Sequence, residues 1–168
     1  GLFGIYDRTA QQGRLTIDAA GTVSMGVLQI TGGSDLAEKF SFSEPVKPGM
    51  VVAIDSKNAG KLTLARGAYN RRVAGIISGA NNLSAGMVLP DVVSGDTAQP
   101  VALSGRVWVY CDAAKRAIRP GDMLTTSNTS GHAMKVVNHS RAQGSIIGKA
   151  MTELKAGRGL VLVLVTLQ

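Results

Sequence analysis

Short runs of alternating apolar and polar residues make up most of the chain, and turn residues separate them. Alternation over four to eight residues predicts a half-buried strand, because successive side chains of a strand point to opposite faces. Pro-Gly, Ser-Gly and Asn-Ala-Gly turns recur between these runs. Regular spacing of short strands indicates an all-β barrel or sandwich over residues 44–168. The predicted strands are MVVAID, KLTLA, RVAGIIS, VALSGRVWVYC, MLTTS, AMKVV, SIIGKAM and LVLVLVTL.

Residues 1–31 precede this domain and form a thinner β segment. The runs RLTID and TVSMGVLQI flank an AAG turn, and so short a segment has too little apolar surface to fold alone. We therefore expect it to pack against neighbouring chains. Residues 32–43 form the junction, and the only helices that we expect are short ones around residues 36–41 and 112–117.

The last apolar run, at residues 160–167, has almost no polar position. A strand with this pattern is buried on both faces, so we predict either a central strand or a subunit interface. The run is too short for a membrane-spanning helix, and we expect no membrane insertion.

Two parts of the predicted β domain look alike. Lys47-Pro-Gly opens one strand and Arg119-Pro-Gly opens another, and the two prolines are 72 residues apart (120 − 48). Downstream, RVAGIISG and QGSIIGKA occupy matching places, with Gly75 and Gly148 offset by 73 (148 − 75). The pattern favours a duplicated β unit, as two halves of one barrel. Chance recurrence of common turn residues is the alternative.

The composition narrows the function classes. With 45% hydrophobic residues, 17% charged residues and 21 glycines, the chain is neither disordered nor a helical bundle. The net charge is +7, but aromatic residues make up only 4%, which leaves little for bases to stack on. We therefore do not expect nucleic-acid binding. An anionic glycan or an acidic partner surface fits the same charge.

Isolated reactive residues suggest little chemistry. Cys111 is the only cysteine, so no intrachain disulfide can form, and no base is visible near it. His132 and His139 lack the spacing of metal ligands, and we expect no metal or cofactor. Alternation places Trp108 and Tyr110 on the face opposite Cys111. That aromatic face could bind sugar or another subunit, although packing is the plainer interpretation.

The junction GGSDLAEKF has the parts that self-cleavage would need. Two glycines allow close approach to the backbone, Ser34 supplies a hydroxyl, and Asp35 and Glu38 would share a face on a helical turn. A carboxylate pair can divide its pKa values, so that one group holds a proton. The alternative is that Ser34 or Asp35 caps a short helix and Glu38 completes a capping box. On residue types alone, the capping interpretation is favoured.

A resemblance to a known family favours the self-cleavage interpretation over the helix-capping one. GGSDLAEKFSFSEPVKPGMVVAID, followed by YNRRVAGIISG, resembles the peptidase G2 family of autocleavage domains from bacteriophage tail and pre-neck appendage proteins. The match covers residues 32–80 and is carried by Asp35, Glu38, Phe40, the Pro48-Gly49 turn and the strand Val73–Gly79. It implies that Ser34–Asp35 is a self-cleaved bond and that Asp35 and Glu38 are its acid–base or nucleophilic carboxylates.

The N-terminal segment carries a second resemblance. GIYDRTAQQGRLTIDAAGTVSMG is similar to stretches that precede C-terminal chaperone domains in tail fibres and bacterial surface fibres. The matching residues are Arg14, Leu15, Ile17, Asp18, Gly21, Val23 and Gly26. In such proteins three chains wrap together and the C-terminal domain registers them. This implies a homotrimer or higher fibre assembly, located in a virion or at a cell surface.

These observations predict a C-terminal assembly domain of a phage-tail-like or bacterial fibre, with autoproteolysis at Ser34–Asp35 as its sharper form. Two alternatives stay open. One is a purely structural subunit of an extracellular filament or capsid decoration, without catalysis. The other is a glycan- or receptor-binding fibre tip that uses the basic face and Trp108.

Overall fold

The computed structural model describes residues 1–90 and 98–166. The chain divides into two compact units, Gly1–Thr31 and Gly32–Gln168. It is 46% strand and 4% helix, which confirms the prediction of an all-β fold. No helix among the described residues is long and apolar enough to cross a membrane.

The first unit is a three-stranded antiparallel sheet with one apolar face. Its strands are β1 (Phe3–Asp7), β2 (Gln12–Ile17) and β3 (Val23–Met25), in that order. Residues directly opposite each other in an antiparallel sheet share a face. The register therefore gathers the apolar side chains on one face and leaves small or polar residues on the other. The apolar face holds Phe3, Ile5, Leu15, Ile17, Val23 and Met25, and the other holds Gly4, Thr16 and Ser24.

The described residues of the second unit form ten strands. The eight runs predicted above are all strands, and β4 and β8 are additional. The strands are β4 (Asp35–Phe40), β5 (Val51–Ile54), β6 (Leu62–Leu64), β7 (Val73–Ile77), β8 (Met87–Leu89), β9 (Gln99–Asp112), β10 (Met123–Thr126), β11 (Ala133–Lys135), β12 (Ile146–Ala150) and β13 (Arg158–Thr166).

Both helix predictions are wrong. Residues 36–40 belong to β4, which is extended because it pairs with β9 on one side and β8 on the other. Residues 114–116 form bends after the end of β9, and residues 113 and 117 are irregular. Across residues 32–90 and 98–166, helical structure consists of a 3₁₀ turn at Ala80–Asn82 and one α-helix, α1 (His139–Ala142). The side chain of Asn138 caps α1 by accepting the Arg141 N–H at 3.1 Å.

Five strands close into a barrel in the order β9, β13, β12, β10, β11, because β11 pairs back onto β9 in parallel at Ala133 and Cys111. The inner face of β9 is buried and Trp108 and Tyr110 lie half-buried on the outer face, as alternation predicted. On β13, the valines Val161, Val163 and Val165 fill the core, but Leu164 is 41% exposed. β13 lies between β12 and β9, so the prediction of a central strand is confirmed. Its outer face, however, is not fully buried within one chain.

The strand pairing supports the predicted duplication. Val52 and Ala53 of β5 pair with Leu64 and Thr63 of β6. About 72 residues later, Leu124 and Thr125 of β10 pair in the same register with Lys135 and Met134 of β11. The parallel bridge between Phe42 and Leu62 has its counterpart in the pairing of Cys111 with Ala133. The repeats are thus not two halves of one barrel. Each forms its own ring of strands, and the two rings share the long strand β9.

A bulge recurs at the matching glycines. Val52 pairs with Gly75 and Leu124 pairs with Gly148, and one residue is skipped directly after each pair. A β-carbon at Gly148 would lie 2.1 Å from the Leu164 carbonyl oxygen, and one at Gly75 would lie 2.5 Å from the side chain of Val101. Both positions therefore require glycine, and the recurrence follows from the packing of the bulges.

Candidate self-cleavage site

The Ser34–Asp35 peptide lies where β4 enters the sheet, and hydrogen bonds hold it on both sides. The Ser34 carbonyl oxygen accepts the Arg106 N–H at 2.9 Å, and the Asp35 carbonyl oxygen accepts the Gly86 N–H at 2.8 Å. The Ser34 hydroxyl donates to the Arg106 carbonyl oxygen at 2.8 Å. The bond predicted to be cleaved is therefore extended and fixed in position.

Two glycines allow neighbouring backbone to approach this peptide. A β-carbon at Gly33 would lie 2.3 Å from the Ala85 carbonyl oxygen. Gly105 has φ +106°, and a β-carbon there would lie 2.4 Å from the Ser34 carbonyl oxygen. A larger residue at Gly33 or Gly105 would push the neighbouring backbone segments of this chain apart. Close packing of β9 on the junction is what brings the Arg106 N–H to the Ser34 carbonyl.

The Asp35 carboxyl group is buried beside this peptide. One oxygen, Oδ1, accepts the Ser78 hydroxyl at 3.2 Å. The other, Oδ2, is fully buried and has no hydrogen-bond partner among the described residues. Burial raises the pKa of Asp35, and the Ser78 hydrogen bond only partly opposes this. The fold thus keeps a poorly solvated carboxyl group with a raised pKa on the residue that directly follows the Ser34 carbonyl.

Glu38 is not brought to Asp35. Because β4 is a strand and not a helix, side chains three residues apart point to opposite faces. Their α-carbons are also about 10 Å apart at the rise of an extended chain. The predicted carboxylate pair on one helical face is therefore wrong within a single chain. Glu38 pairs across the sheet with Val101 and Leu89 and is partly exposed.

Chemically, the arrangement offers three of the groups that peptide hydrolysis uses. The Arg106 N–H is aimed at the oxygen that would become negative when the Ser34 carbonyl is attacked. The Asp35 carboxyl group can exchange a proton beside the amide to which it is attached. The Ser78 hydroxyl orients that carboxyl group. Sequence reasoning named Ser34 and Asp35 but missed Ser78, Gly105 and Arg106.

The other candidate functional residues are packed within the fold and are not arranged for catalysis. Cys111 is fully buried, and burial together with the nearby Asp112 raises its pKa to about 12. The His132 ring contacts the Ser130 carbonyl oxygen at 2.8 Å and lies 5.6 Å from the Tyr110 ring. Tyr110 also packs against Gly49, so the Trp108 strand does not present an open aromatic platform.

Comparison with known proteins finds likeness in fold. No protein-family profile and no curated protein matches the sequence. The structure is similar to that of the pre-mature bacteriophage phi29 gene product 12, with a TM-score of 0.64 and 17% identity over 92% of this chain. The chain spans only 24% of that protein. The N base of the phi29 head fiber gp8.5 aligns with a TM-score of 0.41 and 16% identity, over 79% of this chain and 90% of that one.

Proposed function

We propose that this chain is an assembly domain of a phage-tail-like or bacterial surface fibre and that it associates as a homotrimer, in a virion or at a cell surface. The apolar face of the β1–β2–β3 sheet carries this proposal. Phe3 is 62% exposed and Ile5 is 56% exposed in the single chain. The unit has no second layer of its own to cover this face, and an exposed apolar face that is the same in every copy suits self-association. The fold shared with phi29 gene product 12 supports the class.

Substitutions at neighbouring residues of β3 test this directly. Val23 lies on the apolar face and Ser24 on the opposite face, and both are exposed. We expect sedimentation equilibrium to give three chain masses for the wild type and for Ser24→Lys, and a smaller mass for Val23→Lys. A wild type that stays monomeric at every concentration would overturn the proposal. So would equal masses for the two variants.

We further propose that the Ser34–Asp35 bond is hydrolysed by the domain itself, which would make it an intramolecular autoprotease. The observation behind this step is the buried Asp35 Oδ2, which has no partner among the described residues. A buried polar atom of this kind costs about 1–3 kcal/mol, and such groups cluster at functional sites. Asp35 directly follows the Ser34–Asp35 bond, which the sequence resemblance implies is cleaved.

In this mechanism water adds to the Ser34 carbonyl carbon while Asp35 accepts one of its protons. The oxygen charge that develops is stabilised by the Arg106 N–H. Asp35 returns the proton to its own backbone nitrogen as the carbon–nitrogen bond breaks. The second proton of the water then passes from the new Ser34 carboxyl group to the amine, which leaves a Ser34 carboxylate and an Asp35 ammonium group. Glu38 contributes only if a neighbouring chain in the trimer supplies it. Cleavage would then follow assembly.

Intact mass under denaturing conditions tests cleavage in freshly made protein. We expect wild-type chains to yield a 34-residue and a 134-residue fragment (168 − 34), and Asp35→Asn to remain whole. If Glu38 acts across the trimer, Glu38→Gln also remains whole, and the monomeric Val23→Lys does not cleave. Full-length mass in every protein would overturn the proposal and leave a purely structural subunit.

A further inference from the structure

The duplication places a cavity at the same position in each repeat. In the second repeat, Ser127, Asn128, Met134 and Lys135 line a cavity of about 480 Å³. Their counterparts 72 or 71 residues earlier, Asp55, Ser56, Thr63 and Leu64, line a cavity of about 240 Å³. Both cavities lie beside the paired strands β5–β6 or β10–β11. The first repeat is therefore an internal reference for the second.

In the first-repeat cavity, one of the three lining cations is paired with an acid within the chain. Arg66 binds both oxygens of Glu44 at 2.7 and 2.6 Å, and this contact lowers the pKa of Glu44 to about 2. The Asp55 carboxylate lies in the same lining as Lys57 and Arg72. Neither Lys57 nor Arg72 forms an ion pair among the described residues, but Asp55 offsets one of their two charges, so one uncompensated positive charge is left in this lining.

The second-repeat cavity carries more uncompensated charge, because its four cations share the lining with a single carboxylate, Asp112. Arg158 lies 3.6 Å from Asp112 and Lys135 lies 2.8 Å from Asp122. No ion pair involves Lys115 or Arg116 among the described residues, and both are exposed at the cavity rim. An adjoining cavity of about 340 Å³ shares Arg116 and Lys135 with the first and adds Arg119. The cations thus line one extended basic cleft.

The rest of the lining identifies the kind of anion. Ala68, Met134 and Val137 provide apolar surface, while Asn128 and Ser127 provide polar groups. Apolar contact for a sugar ring, polar groups for hydroxyls and cations for acidic substituents together suit a charged carbohydrate. No aromatic side chain among the described residues lines either cavity, which disfavours stacked nucleic-acid bases. A concave cleft also differs from the broad surface that binds a folded protein.

We propose that this basic cleft, which is centred on Lys115 and Arg116, binds an oligosaccharide bearing carboxylate or sulfate groups. The site does not involve Trp108, and it is separate from the junction at Ser34–Asp35. It would give the assembly domain an affinity for acidic surface carbohydrate. The two acidic groups have the same requirement for unpaired cations, so either could fill the cleft.

Binding is tested on the full chain by isothermal titration with three probes: a heparin hexasaccharide, a hexamer of polygalacturonate and a neutral glucose hexamer. The test variant is Lys115→Gln/Arg116→Gln. Its control, Lys57→Gln/Arg72→Gln, removes the same charge from exposed residues of the first-repeat cavity. We expect one or both acidic probes to bind and the neutral hexamer not to bind. Binding should be about tenfold weaker in the test variant, since each exposed ion pair contributes modestly, and unchanged in the control.

Affinity should also fall as salt rises from about 0.05 to 0.3 M, because these contacts are exposed to screening. The probe that binds identifies the acidic group. Absence of binding by both acidic probes would overturn the proposal, and so would equal weakening in the two variants. A single-stranded oligonucleotide of equal charge that binds more tightly than either sugar would also overturn it.

Discussion

Replacing Gly105 with alanine tests whether close approach of β9 fixes the Ser34–Asp35 peptide. The new β-carbon would lie 2.4 Å from the Ser34 carbonyl oxygen, whereas real β-carbons essentially never come within 3.0 Å of a neighbour. The strands must therefore separate by at least 0.6 Å (3.0 − 2.4). The Arg106 N–H bond to Ser34, 2.9 Å in the wild type, would lengthen or break.

The cost can be built up from its causes. Crowding costs about 1–3 kcal/mol, the lost hydrogen bond about 1 kcal/mol and an alanine at positive φ about 1–2 kcal/mol. A less flexible unfolded chain offsets about 0.4–1 kcal/mol. We therefore expect Gly105→Ala to lower the free energy of unfolding by about 2–5 kcal/mol.

Gly121→Ala is the matched control. Gly121 has φ +88°, and no described atom lies within 4 Å of the β-carbon that it would gain. Only the backbone conformation contributes here, so we expect a loss of about 1 kcal/mol. Urea unfolding, followed by fluorescence of the single tryptophan, Trp108, measures both variants. Equal losses in the free energy of unfolding of the two variants would show that β9 shifts at Gly105 at no cost. This result would refute the argument that the contact fixes the junction.

Three further predictions concern titrating groups. Because burial raises the pKa of Asp35, its penalty is absent at low pH and grows as pH rises through the folded-state pKa. Asp35→Asn should then gain stability over the wild type near pH 8 but not near pH 3, and a constant difference would contradict this. Arg66 lowers the pKa of Glu44 to about 2. The stability that wild type holds over Glu44→Gln above the ordinary glutamate pKa of 4.5 should therefore vanish as pH falls towards 2. Burial raises the pKa of Cys111 to about 12, so native protein should resist thiol reagents near pH 8 until urea unfolds it, and rapid labelling of the native chain would contradict this burial.

The strands that could be predicted from the sequence are those whose own residues carry the pattern. Runs such as MVVAID and SIIGKAM alternate or are apolar throughout, and the structure makes them β5 and β12. The run DLAEKF was misread as a helix because its acids are three residues apart. Its conformation is set by β8 and β9, which flank it, and pairing of that kind overrides local preference.

The site was predicted only as far as it is local. Ser34 and Asp35 are adjacent in sequence, but Ser78 is 43 residues from Asp35, and Arg106 is 72 residues from Ser34. Neither spacing leaves a signal in one sequence. A signal did exist for Gly105, because a glycine inside the long run VALSGRVWVYC indicates a bulge or a close backbone approach. That approach is what positions the Arg106 N–H.

The duplication explains how two different features arise from one repeated unit. Both repeats keep the bulge glycine, the hairpin register and the parallel closing bridge, which are the parts that the strand ring needs. The two repeats differ at residue positions that the ring of strands does not constrain. In the first repeat, the buried Asp35 lies at the start of β4, where it pairs with Gly105 of β9. From Ser104 and Gly105, β9 continues into the second repeat. At the matching cavities, Glu44 binds Arg66 and Asp55 offsets one further cation in the first repeat. In the second repeat, the one lining carboxylate pairs with Arg158, and Lys115 and Arg116 form no ion pair among the described residues. Variants that disturb one feature should therefore leave the other intact, so that the Lys115→Gln/Arg116→Gln protein still cleaves and the Asp35→Asn protein still binds acidic sugar.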